Sequence, residues 1–300
     1  MKKFFLFVLF SLIWIGSAIC ANNQREADQT INDFNLAGFG EQGKKNWELS
    51  GKSADIFSDI VRLKDITGNL YGKEEDIKLT AQEGSFDKQQ ALIHLEKDVV
   101  ITTSGGAKLT TNSLDWDRKN QVISTKDAVN IKKQDMVTTA EGAVGHPDLK
   151  QISLTKDVTV EINPQSEPSK ETDPKNKTVI TCDGPLEIDY QKNLAVFNNN
   201  VKVEQKDAVI YSDRMDVYFK MPDKNKAGES KEATSAMEAN MMGANLEKII
   251  ARGNVKIVRG ENVSYSDEAI YTSSDKKIIL TGKPKLVIFS TEDFNAASGN

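Results

Sequence analysis

Apolar and polar residues alternate in short runs along most of the chain. Val99-Val100-Ile101, Val129-Asn130-Ile131, Val158-Thr159-Val160, Val201-Lys202-Val203, Val255-Lys256-Ile257 and Leu286-Val287-Ile288 each set two apolar residues around a polar or β-branched one. Successive side chains of a strand point to opposite faces, so a period of two predicts half-buried strands. A turn-forming pair or its near equivalent precedes each run: Lys97-Asp98, Lys126-Asp127, Lys156-Asp157, Asn199-Asn200, Gly253-Asn254 and Gly282-Lys283. The pairs recur on a beat, with Asp98, Asp127 and Asp157 separated by 29 and then 30 residues. A second phrase keeps nearly the same step in Leu79-Thr80-Ala81, Leu109-Thr110-Thr111 and Val137-Thr138-Thr139, and again in Val179-Ile180-Thr181 and Val209-Ile210-Tyr211, with an echo at Val263-Ser264-Tyr265. The spacing predicts units of about three short strands, with turns such as Ser104-Gly105-Gly106 between them. A fixed period in an all-β chain means hairpins stacked or wound around a shared interior.

Three segments break the beat. Residues 1–21 carry Lys2 and Lys3, then the apolar run Phe4–Ile15, then Gly16, Ser17 and Ala18, which is the layout of a secretory signal. The rival reading is an uncleaved membrane anchor, and the apolar stretch is a little short of the roughly 20 residues that span a bilayer. Residues 164–177 hold Pro164, Pro168 and Pro174 among many charges and read as a linker. Residues 221–244 interrupt the strands a second time; Met237, Met241 and Met242 could cover an apolar opening there, and a solvated loop is the plainer reading.

Composition narrows the chemistry. The chain has 300 residues, a net charge of −5 and no dense basic block, which argues against nucleic acid as a partner. Two histidines and two cysteines leave no material for a histidine-rich metal site, a zinc ribbon or a disulfide framework, so no metal and no cofactor are expected. Asp115-Trp116-Asp117 places two carboxylates on one strand face, but an acid/base pair would need one of them shielded; solvent-facing flanks around an inward Trp116 fit better. His94 and His146 have no histidine near them in sequence, and no nucleophile-elbow, P-loop or dinucleotide fingerprint occurs. Binding is favoured over catalysis, and the chain is expected not to be an enzyme.

With the strands laid out, two resemblances appear. Trp47-Glu-Leu-Ser-Gly-Lys-Ser-Ala-Asp-Ile-Phe57, Leu79-Thr-Ala-Gln-Glu-Gly84 and Leu109-Thr-Thr-Asn-Ser-Leu-Asp-Trp-Asp117 resemble LptC, an inner-membrane-anchored periplasmic component of lipopolysaccharide export. Ala251-Arg-Gly-Asn-Val-Lys-Ile257, Tyr265-Ser-Asp-Glu-Ala-Ile-Tyr271 and Leu280-Thr-Gly-Lys-Pro-Lys-Leu286 resemble the OstA-like domain of LptA, the soluble bridge component. The resemblance implies an all-β chain of two tandem antiparallel β-jellyrolls, each an open sandwich of V-shaped section. They would occupy residues 33–163 (LptC-like) and 178–290 (LptA-like, with the insertion 221–244). Both modules in one chain depart from the familiar arrangement of separate proteins.

The resemblance further implies a non-enzymatic component of the periplasmic bridge that carries lipopolysaccharide from inner to outer membrane. Its acyl chains would lie in an apolar groove, and an ATPase elsewhere would supply the energy. The expected partners are lipopolysaccharide, the inner-membrane lipopolysaccharide ABC transporter, and other OstA-like domains, including that of the outer-membrane translocon, joined through sheet edges. The expected location is the periplasm, with or without an N-terminal tether. Groove candidates are Val99, Ile101, Trp116, Val129 and Ile131 in the first module, and Val201, Val203, Val255, Ile257, Leu286 and Ile288 in the second. Edge candidates are Phe34, Leu36 and Phe39 at one end and Leu286 and Ile288 at the other. Lys202, Lys256 and Arg259 alternate outward, where they would meet either solvent or lipid phosphates at the groove rim. A groove wall and a closed core wall share one pattern, so an exported structural or adhesive β-repeat protein without lipid cargo is the alternative.

Overall fold

The alternating runs become strands that are longer and fewer than the spacing predicts. The computed structural model describes residues 27–39, 43–72, 76–146, 150–163, 177–220 and 245–288. The expected signal or anchor (1–21), the insertion with Met237, Met241 and Met242, and all of the expected linker but Lys177 lie outside the described residues. Nine strands come first: β1 (Gln29–Phe39), β2 (Lys45–Ile56), β3 (Ile60–Leu70), β4 (Ile77–Asp87), β5 (Leu92–Thr103), β6 (Lys108–Asp117), β7 (Val122–Lys133), β8 (Met136–Gly145) and β9 (Gln151–Ile162). Eight follow: β10 (Thr178–Cys182), β11 (Leu186–Asp189), β12 (Leu194–Gln205), β13 (Ala208–Lys220), β14 (Asn245–Arg259), β15 (Asn262–Thr272), β16 (Lys277–Thr281) and β17 (Lys285–Val287). All pairings are antiparallel between neighbours in one continuous sheet, and no helix occurs among the described residues.

The turn-forming pairs turn out to be bends inside strands. Lys97-Asp98 lies within β5, Asn199-Asn200 within β12 and Gly253-Asn254 within β14, each pair at positive φ. Each coincides with a register slip against the next strand, as does Lys126-Asp127 between Thr125 and Ala128. An extra residue in one strand bends it and raises the local twist. The repeat of about 30 residues is therefore two long bent strands rather than three short ones, and the aligned bends divide the sheet into two walls.

At the fold line each rung is filled by one bulky and one small side chain. Ile66 faces Ala81, Val99 faces Thr111, Val129 faces Ala140, Val158 faces Cys182, Val201 faces Ser212, and Val255 faces Ser266. All twelve are buried. The walls converge at this line, and two large side chains would not fit within ordinary packing density. Above it, Leu154, Leu186, Phe197 and Met215 succeed one another across adjacent strands of one wall, as Val160, Ile180 and Val203 do across the other.

The sheet does not stop between the two halves. β10 and β11 are one strand interrupted at Asp183-Gly184-Pro185, and both halves of it pair with β9 on one side and β12 on the other. Gly184 has φ of 100°, and a Cβ there would sit 2.4 Å from the Thr155 carbonyl oxygen, so only glycine lets β9 approach. Asn198 and Asn199 stitch the break by donating to the Pro185 and Gly184 carbonyls at 2.9 and 2.7 Å. β16 and β17 repeat the construction around Gly282-Lys283-Pro284 and pair with β15 alone.

The apolar core divides in a different place. One buried cluster runs from Phe34 to Leu114, and a second from Val129 to Ala269 straight across the β9–β10 joint. Between them, β6 and β7 lose register from Thr110 to Asp115, and the gap holds the polar contact Thr111 Oγ1···Thr125 Oγ1 at 3.4 Å.

Candidate functional site

Each rung contributes apolar side chains from both walls to an interior that packs closed at the fold line. The predicted groove residues separate by depth. Val99, Val129, Val201 and Val255 fill the fold line, and Ile101 and Val203 are also buried one step above it. Ile131 and Ile257 stand two residues beyond Val129 and Val255, nearer the hairpin turns, and are half-buried against the core. Trp116 is half-buried opposite Ile93 and Ile123, and its indole Nε1, although buried, has no hydrogen-bond partner among the described residues. Ser212 and Ser266 likewise keep buried hydroxyls without a partner among the described residues, both facing the interior beside Val201 and Val255.

Leu109 and Ile123 in the first half, and Ile210, Tyr190 and Tyr271 in the second, complete the half-buried layer and were not foreseen. The available signal was the residue two places from the fold line on every strand: Leu109 from Thr111, and Ile210 from Ser212.

The ends differ from the middle. Leu36 and Phe39 on β1 are 54% and 65% exposed, and Leu286 and Ile288 at the other end are 60% and 70% exposed. Phe34 instead turns inward and lies over Gly51, where a Cβ would meet its ring at 2.7 Å. β1 pairs only with β2, and β16 and β17 only with β15, so both ends offer open hydrogen-bonding edges among the described residues.

Among the described residues, titratable groups lie mostly on the outer face, in pairs or in the cluster around Asp216. His94 Nδ1 lies 2.7 Å from Asp115, and His146 Nδ1 lies 2.9 Å from the Gln121 carbonyl. Asp117 caps a turn, and bonds from the backbone N–H and side chain of Asn120 hold its carboxyl below the ordinary value. Asp216 is buried on the outer face, 2.8 Å from Arg214 Nε and bonded also to Arg252, which reaches Glu268 at 3.0 Å. Burial pushes the Cys182 thiol up, away from the reactive thiolate. No group of three or more metal-binding side chains gathers among the described residues. This geometry can hold an apolar chain and pair strands.

Residues 4–163 match the family of lipopolysaccharide-assembly, LptC-related proteins. The chain belongs to that LptC-related family. Residues 179–300 match a second family, the LptA/(LptD N-terminal domain) lipopolysaccharide transport proteins. No curated protein matches the chain. The LptC-related module is thus followed by an LptA-like module in one chain, as the motifs predicted. Both belong to transport families of the periplasmic envelope, and the all-β architecture is the one their resemblance implied. The boundary between the two matches falls next to the β9–β10 joint, so this LptC-related chain carries its LptA-like partner as the next rungs of its own sheet. No helix among the described residues is long and apolar enough to cross a membrane.

Proposed function

We propose that this chain is a pre-joined section of the periplasmic bridge and that lipopolysaccharide travels along its trough with the acyl chains against the half-buried layer. The observation that carries the reading is continuity at the joint: apolar rungs cross from one module into the next, and exposed apolar residues stand at both ends of the sheet. Each CH₂ left in water costs about 0.8 kcal/mol, so a continuous apolar path lowers the cost of moving acyl chains through an aqueous compartment. No chemistry is required of the chain, and the energy comes from the inner-membrane ABC transporter.

The two free edges are the assembly surfaces. β1 faces the inner-membrane end and β16–β17 the next OstA-like domain, up to that of the outer-membrane translocon. The internal joint supports this arrangement, because it is a strand pairing along a broken strand of the same construction as β16–β17. The LptC-related match begins at residue 4, inside the apolar N-terminal run, which supports retention of that segment as a tether.

Photo-crosslinking in cells tests the path. Probes at Ile131 and Ile257, which are half-buried and tolerate a larger group, are expected to capture lipopolysaccharide; probes at the outward Thr110 and Thr139 are not. Equal capture on both faces, or none on either, overturns the groove. Leu286→Asp with Val287→Pro is expected to abolish end-to-end assembly by native electrophoresis without lowering the melting temperature.

A further inference from the structure

One row of outward-facing residues changes character part-way along the sheet. Lys202 on β12 faces Tyr211 on β13, Tyr211 faces Lys256 on β14, Lys256 faces Tyr265 on β15, and Tyr265 faces Lys285 on β17. Cation and aromatic ring alternate across five neighbouring strands spaced about 4.8 Å apart, a stripe about 19 Å long. The same row in earlier strands holds short uncharged residues such as Thr80, Thr110, Thr139 and Thr181, the last directly beside Lys202. The change falls one strand into the second module.

The stripe is available. Tyr211 and Tyr265 are 38% and 41% exposed, and Lys285 is exposed. The Lys256 ammonium stands 5.7 Å from the Tyr211 ring centroid, and no ion pair ties Lys256 or Lys285 to a carboxylate among the described residues. Lys202 is bound to Glu204 at 2.7 Å. The next outward row, toward the turns at Lys206-Asp207 and Gly260-Glu261, starts at Glu204 on β12 and is apolar beyond it: Val209, Val258, Val263 and Val287. The trough mouth lies just past those turns, so the stripe flanks one rim.

We propose that Lys202, Tyr211, Lys256, Tyr265 and Lys285 form a binding surface for a phosphorylated oligosaccharide, the headgroup of the amphiphile whose acyl chains lie in the trough. The proposal rests on the reading of the trough as a lipid path. Three ammonium groups on alternate strands match separated phosphates, to which each donates charge-assisted hydrogen bonds. The electron-rich faces of the two tyrosines take the C–H faces of sugar rings between those phosphates. A threonine row supplies neither the charge nor the flat face. The chain's net charge of −5 makes a cationic stripe a local feature rather than a reflection of its composition.

The test uses the full chain and deacylated lipopolysaccharide oligosaccharide with its phosphates intact, measured by calorimetry. Wild type is expected to bind it, with affinity falling as salt rises. Lys202→Gln/Lys256→Gln/Lys285→Gln is expected to weaken binding at least about tenfold. Tyr211→Thr/Tyr265→Thr, which restores the residue type found in the first module, is expected to weaken it by about threefold or more. Circular dichroism checks that both variants fold. Absence of binding by folded wild type, unchanged affinity in both variants, or equal binding of the phosphatase-treated oligosaccharide overturns the proposal. Preference for inorganic phosphate or for phosphatidylglycerol vesicles over the oligosaccharide also overturns it. Crosslinking of intact lipopolysaccharide at Ile257 is read in parallel: capture there without oligosaccharide binding refutes the stripe alone, and oligosaccharide binding without capture refutes the trough alone.

Discussion

Gly184→Ala should act on the joint between the modules more than on any other part of the sheet. Gly184 holds φ of 100°, a region that an alanine occupies at a cost of about 1–3 kcal/mol. Its Cβ would also lie 2.4 Å from the Thr155 oxygen and 2.7 Å from the Lys156 Cα, both backbone atoms of β9. Neither can rotate away as a side chain would, so β9 must move off β10 and β11, and the bond from the Asp157 N–H to the Asp183 carbonyl at 3.1 Å lengthens or breaks. Strain, overpacking and about 1 kcal/mol for the lost bond together give a destabilisation of about 3–5 kcal/mol. At about 2–4 °C per kcal/mol for a chain of this class, the melting temperature drops by roughly 6–20 °C. Gly106→Ala is the control, because Gly106 also has positive φ, 84°, but nothing within 4 Å of its Cβ position, so it carries the backbone strain alone. Circular dichroism melts supply the totals, and hydrogen exchange shows where the sheet opens. Equal melting shifts for the two variants, or opening of β2–β4 as much as β9–β11, would refute the reasoning.

Three further outcomes follow from burial and charge. Phe197→Ala should cost about 3–5 kcal/mol in urea unfolding, and Ile257→Ala about 1–2 kcal/mol, because the first side chain is 1% exposed and the second is half-buried at the mouth; equal costs would contradict the depth assigned to them. Glu48, Asp117 and Asp189 are held below their ordinary values, chiefly by Asn35, the Asn120 backbone N–H and Lys192, respectively. Carboxyl groups lowered in the folded state add stability above their unfolded values near pH 4 and lose it as the pH falls further, so melting temperature should fall as the pH drops below about 4. Asp189→Asn should flatten part of that fall, and an unchanged acid limb counts against the assignment. Burial raises the Cys182 thiol, so iodoacetamide at pH 8, read on the peptide that carries Cys182, should leave that thiol unlabelled in the folded chain and label it quickly in urea; rapid labelling of Cys182 in folded protein would show the joint to be open.

Much of the fold was legible because the repeat is written in two phrases that the structure places on paired strands. The reading failed where one residue chemistry serves two geometries. Asn199-Asn200 and Lys97-Asp98 have the polar, left-handed character of a hairpin turn and of a strand bend alike, and only the distant pairing partner decides between them. Depth was hidden for a similar reason. Val255 and Ile257 are two residues apart on one inward face, yet the convergence of the walls closes over the first and leaves the second half-buried. Lys202 and Lys256 were visibly outward, but their alignment with Tyr211 and Tyr265 is a matter of register across four strands that no local pattern records. Pairing of β10 and β11 with β9 was equally out of reach, because a proline-rich stretch separates them and says nothing of where the chain returns.

The seam between β6 and β7 acquires a mechanical meaning once the chain is regarded as a strut under tension. A pull along the direction in which strands stack loads every strand pair in series, and the hydrogen bonds of each pair in parallel. Five positions of β9 pair with β10 and four with β11, whereas β6 and β7 share six and are unpaired over residues 111–114. The buried clusters also divide at that pair, which is bridged by half-buried register partners, Leu109 with Ile131 and Trp116 with Ile123, rather than by fully buried ones. Rupture therefore begins inside the LptC-related module, and the junction with the LptA-like module outlasts it.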